Sequence, residues 1–145
     1  MPEQRIADIL NLQPRFLRSA HLERDFRDPA ALGGYVVTDF ARSALTRMRE
    51  GLRPSSGERA WRITGHYGAG KSSFALLLAH LLSGKEANIP PQVRRVVDFG
   101  RNEPPFVSVL VTCAREPLAV SILRGLFDAA QHIYGRRSNP LVAEP

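Results

Sequence analysis

The densest chemistry in the chain is the stretch GHYGAGKSS, from Gly65 to Ser73. Only two of the 20 cationic residues are lysines, and one of them, Lys71, stands here between a glycine and two serines. Gly65, Gly70, Lys71 and Ser72 fill the spacing G-x-x-x-x-G-K-[ST]. That spacing cradles phosphate when an extended segment leads into it and a helix leads out. Composition alone produces it in about one chain per thousand, so the match is informative before its context is read.

Each residue type has a physical task. Glycines let the backbone curl until several N–H groups converge on one spot. The helix that follows adds its positive end. On this reading His66, Tyr67, Gly68 and Ala69 form the wall of the loop, and Lys71 brings a cation to the β- and γ-phosphates of a nucleotide. The Ser72 hydroxyl is a hard oxygen ligand for Mg²⁺, and Ser73 reaches toward the α-phosphate. The plainer reading, a glycine turn before a buried helix, leaves Lys71 in an apolar segment without a role.

The flanking elements follow from periodicity. TDFARSALTRMREGL reads as a helix capped by Thr38, with Phe40, Ala41, Ala44, Leu45 and Met48 on one stripe and Gly51 as its stop. AWRIT alternates as a short strand before the loop. KSSFALLLAHLLSG reads as a helix ending at Gly84, apolar nearly all round and so buried on most sides. His80 in it reads as a surface or edge residue. QVRRVVDF reads as a short helix opened by Pro90 and Pro91. FVSVLVTC is the strongest strand signal, GYVV a weaker one, and EPLAVSILRGLFDAAQHIYG the last helix. Strands alternating with helices predict an α/β fold with a parallel sheet. Residues 1–33 read as an arm with a short helix near Arg5 to Leu12, 34–135 as the core, and 136–145 as a loose tail.

With the loop and its neighbours in place, the chain resembles P-loop NTPases of the AAA+ and STAND type, particularly large bacterial ATPases of phage-defence loci. The likeness covers Arg18 to Leu126 and is carried by the loop together with HLERDF, GYVVT and the helix ahead of AWRIT. It implies a three-layer parallel sheet flanked by helices, ATP and Mg²⁺ as ligands, and an arm that covers the adenine, with Gly34, Tyr35 and Val36 as base-pocket candidates. The alternative for Tyr35 and Val36 is ordinary core packing. A GTPase reading lacks the N-K-x-D base signal.

The acidic partner such ATPases need is hard to find. It is an Asp, often followed by Glu, at the end of a buried apolar strand, where the acids hold the metal's water and activate the attacking one. Asp39, Asp98 and Asp128 all fall in or beside helices. Glu116, behind FVSVLVTCAR, is the nearest candidate for a catalytic carboxylate, with Arg115 beside it. Its alternative is a helix-start acid. Two convincing strands also make a thin sheet, so the expected nucleotide core is incomplete, completed by a protein partner or by a C-terminal continuation of the same ATPase. The readings are an ATPase module coupled to a larger assembly, a nucleotide-binding or interaction module without turnover, and a small P-loop kinase, weakened by the lack of a substrate lid.

Bulk properties narrow the setting. The 145 residues carry a net charge of +6, with arginines scattered rather than interleaved with aromatics, so nucleic acid is a partner without specific support. His21, His66, His80 and His132 lack zinc-ligand spacing, and a lone cysteine, Cys113, suits a reducing, cytoplasmic setting. No apolar run is long enough for a membrane span, and the first residues carry no apolar signal core.

Overall fold

The computed structural model describes residues 20–95, 106–112 and 115–135. Their elements, in order, are α1 (Leu22–Asp25), α2 (Asp39–Gly51), α3 (Lys71–Leu82), a 3₁₀ turn (Glu86–Asn88), α4 (Pro91–Arg94) and α5 (Leu118–Tyr134). The short helix expected near Arg5 to Leu12, Asp98, Cys113 and the tail 136–145 lie outside these residues. No helix among the described residues is long and apolar enough to cross a membrane.

α2 starts where its cap predicts. Thr38 is extended and its hydroxyl accepts the Ala41 N–H at 3.2 Å. Ala41, Leu45 and Met48 are buried at helical spacing. Phe40, expected on the same stripe, is 77% exposed, because it sits one position off the buried line. The last residue, Gly51, lies against the Trp61 ring: a Cβ there would come within 2.5 Å of the indole. Its lack of a side chain lets the segment leading to the loop dock on the end of α2.

α3 is the centre of the core, as its all-round apolar sequence requires. Leu76 and Leu77 are fully buried, with Leu32, Leu45, Ile89 and Val93 around them. Burial of each such side chain contributes about 1.5–3 kcal/mol. Leu32 belongs to the stretch read as an arm, so residues 20–33 pack on the core. α1 docks there too: Asp25, 5% exposed, accepts from the His21 N–H at 2.8 Å and from the Arg24 guanidinium at 2.8 Å.

The predicted α/β fold with a three-layer parallel sheet is not what forms. Among the described residues there is no strand; AWRIT, GYVV and the described part of FVSVLVTC carry no ladder. A strand is defined by a neighbour about 4.8 Å away that exchanges backbone hydrogen bonds with it. Residues 106–112 direct their polar groups to helices and side chains instead. The Phe106 N–H goes to the Leu82 carbonyl at 2.8 Å, and the Thr112 N–H to the Glu23 carboxylate at 2.7 Å. The Ser108 hydroxyl pairs with that of Ser83 at 2.6 Å. α5 closes over the segment at Gly125, where an added Cβ would meet Val111 at 2.8 Å. β-branched residues favour a half-buried extended surface, and a helix supplies that surface as well as a second strand does.

Candidate functional site

The loop is built from two left-handed glycines, Gly68 at φ 79° and Gly70 at φ 80°. L-residues with side chains avoid that region, so both turns depend on glycine. The Ala69 N–H closes one turn on the His66 carbonyl at 3.2 Å, and Gly70 then serves as the N-cap of α3. A glycine cap has no side chain to offer, and the first turn of α3 holds no acid. The first amide returned to the helix is that of Phe74, bonded to the Gly70 carbonyl at 2.9 Å. The amides of Lys71, Ser72 and Ser73 are therefore left to outside acceptors by helix geometry.

The Lys71 ammonium is folded back across this turn. It donates to the Gly65 carbonyl at 2.9 Å and to the His66 carbonyl at 2.7 Å. One cation thus joins the entry of the loop to its exit. Residues Gly65 to Gly70 are exposed, Ser72 is exposed, and Lys71 and Ser73 are half-buried. The loop is open to a large anion, with a helix end, free amides and one cation converging on it. Tyr67, at 95% exposed, stands clear of it.

The structure places Gly65, Lys71, Ser72 and Ser73 at one turn. The base-pocket candidates fall differently. Gly34 takes φ 65° and turns the chain; Tyr35 packs against the core cluster, where desolvation raises its hydroxyl pKa; Val36 is 76% exposed. Among the described residues no group of three His, Cys, Asp or Glu is arranged to hold a metal ion. The exposed Ser72 hydroxyl is a hard oxygen of the kind that Mg²⁺ accepts.

Glu116 has both oxygens engaged. Arg124 grips it with two bonds of 2.8 and 2.9 Å, and the Ser121 hydroxyl adds a third at 2.7 Å. The Arg124 hydrogen bond, then that of Ser121, holds its pKa below the ordinary value of 4.5. These bonds lock the carboxylate over the first turns of α5.

His80 corrects the sequence reading. It is fully buried, stacked on Phe26 with ring centroids 4.7 Å apart, and neither ring nitrogen has a hydrogen-bond partner. Lys85 sits 4.1 Å over the same Phe26 ring. Desolvation, then the Lys85 charge, lowers the imidazole pKa to about 4. Helical spacing already set His80 on the buried face, four and three residues after Leu76 and Leu77; what the sequence did not name is the covering ring, which comes from residue 26. A separate cleft of about 320 Å³ opens among Phe26, Lys85, Phe106, Leu110, Ala129 and Ile133, and no loop residue lines it. No protein-family model, curated protein or solved structure matches the chain.

Proposed function

We infer that the chain binds ATP with Mg²⁺ through Gly65 to Ser73, as the nucleotide-binding module of an AAA+- or STAND-like ATPase that couples nucleotide to a larger assembly. The observation that carries this reading is the pairing of an uncapped, acid-free helix start with a lysine held across the loop before it. An arriving β/γ-phosphate takes the amides of residues 71–73 and draws the Lys71 ammonium off two neutral carbonyls onto charged oxygens. That exchange favours the ligand, because the charged phosphate oxygens add a Coulombic attraction to the ammonium that neutral carbonyls lack. Ser72 supplies the cation's protein ligand.

The reading favours binding over turnover. Hydrolysis needs a positioned water and groups that stabilise the transferring phosphoryl. Glu116, the one carboxylate the sequence offered, is ionised but already accepts three hydrogen bonds.

Titration calorimetry with ATP and Mg²⁺ tests the reading. Wild type binds, GTP competes more weakly than ATP, and Lys71→Ala loses at least tenfold in affinity, about 1.4 kcal/mol. Equal affinity in wild type and Lys71→Ala overturns it.

A further inference from the structure

His80 stands in the core at a position that an apolar side chain would fill at less cost. It is fully buried, and neither ring nitrogen has a hydrogen-bond partner. A buried polar group left in that state opposes folding, and a buried charge opposes it far more. The nearest hydroxyls do not help the ring: Ser108 donates to the Ala79 carbonyl at 3.2 Å and pairs with Ser83.

The cover over the imidazole is thin. The Phe26 ring lies on it, 26° from parallel. Phe26 ends α1, a helix of four residues, whereas a helix needs about 12–15 residues to be even marginally stable alone in water. α1 therefore keeps its shape by its seat on the rest of the chain. Leu22 and Phe26 pack on the core cluster, and the Glu23 carboxylate accepts the Thr112 N–H.

The charges around this seat do not favour a proton on the ring. Lys85, just beyond α3, holds its ammonium 4.1 Å from the Phe26 centroid, and its charge acts on the imidazole. On α1, Asp25 accepts from the His21 N–H and the Arg24 guanidinium, and Glu23 is bound to residue 112. Arg27, and on α5 Asp128 and His132, border the neighbouring cleft. Residues 106–112 bring no titratable group.

We propose that His80 is an acid-sensitive catch: when the imidazole takes up a proton, Phe26 and α1 lift from α3 while the rest of the core stays folded. Phe26 also lines the cleft of about 320 Å³, so the same step removes one of its walls. The inference stands apart from nucleotide binding, since no residue of the loop takes part.

The direction follows from the two forms. With α1 seated, desolvation and then Lys85 hold the imidazole at about 4; with α1 lifted, water returns it toward 6.5. The seated form has the lowered value, so its advantage is whole above 6.5 and is lost as pH falls toward 4. Between those values the ratio of lifted to seated rises about twentyfold from pH 7 to pH 5. Carboxylates of ordinary pKa, about 4, keep most of their charge over that range.

Hydrogen exchange on the full chain, corrected for the intrinsic pH dependence of amide chemistry, tests this. The Asp25 and Phe26 amides, bonded to the His21 and Leu22 carbonyls, lose about twentyfold in protection from pH 7 to pH 5. The α3 amides remain the more protected at both. His80→Leu, apolar and of similar size, abolishes the pH dependence at α1. Protection at α1 that holds down to pH 5, or falls as steeply in His80→Leu, overturns the proposal. Equal protection of α1 and α3 overturns it too, because the whole chain then unfolds as one. The imidazole proton resonances of the wild type give a check without a variant: a charged ring at pH 5.5 beneath a still protected α1 overturns the proposal.

Discussion

α3 and α5 begin alike and are finished differently. Neither N-cap residue, Gly70 or Pro117, caps with a side chain, and neither first turn contains an acid. At α5 the residue just before the cap, Glu116, folds its carboxylate over Ser121 and Arg124. At α3 the residue after the cap is Lys71, which turns its cation back onto the loop. One helix start is closed by the chain's own acid; the other keeps acids away and adds positive charge. The lesson is that a helix start without a side-chain cap is not by itself open to an outside anion. The chain must also leave its own carboxylates out.

The sharpest way to break this contrast is to give α3 an acid. Ser72→Asp places a carboxylate in the first turn, stabilising the helix by about 0.3–1 kcal/mol. It also replaces the hydroxyl proposed to hold Mg²⁺ and puts a negative charge where phosphate is proposed to sit. Thermal melts shift upward while calorimetry shows ATP affinity falling by at least about a hundredfold, near 2.7 kcal/mol. Unchanged affinity would show that the amides of this turn do not meet the phosphates.

A smaller effect isolates the backbone. Gly70→Ala keeps every side chain of the site, and an added Cβ there meets nothing within 4 Å. Only the left-handed φ of 80° opposes it, at a cost of about 1–2 kcal/mol. Denaturant unfolding reads that loss directly, and an undiminished midpoint would mean that the turn is not held left-handed.

The smallest effect lies at α5. The Glu116 pKa is lowered on folding, so its contribution is complete above the ordinary carboxylate value and disappears as pH falls through the folded one. Glu116→Gln therefore melts below wild type at pH 7, and the gap closes in acid. ATP affinity stays as in wild type. A gap that persists unchanged in acid would separate the stability loss from the Glu116 charge.

What was legible in the sequence was local. Thr38 fixes the start of α2, and Gly70 and Pro117 mark the starts of α3 and α5, because caps act within a turn of themselves. The loop was legible for the same reason: its chemistry lies within nine consecutive residues. The sheet was not, because FVSVLVTC states a preference for extended chain but names no partner, and α1, α3 and α5 took that place. The ring that covers His80 was not legible, because Phe26 is far away in sequence, although the spacing from Leu76 and Leu77 put His80 on the buried face. The exposed apolar side of α5 inverts a sound rule. Amphipathic helices turn their apolar side inward, yet here Gly125 makes the polar side the closer fit to Val109 to Val111.

The contact between Gly51 and Trp61 has a consequence of a different kind. Trp61 is the only tryptophan in the chain and precedes Gly65 by four residues. Its indole nitrogen is sealed from water without a hydrogen-bond partner, an uncommon state for that group. Indole emission shifts to shorter wavelength when the ring is shielded and moves back when water reaches it. The chain therefore carries its own lamp beside the loop, one whose colour follows the seating of that segment on the end of α2.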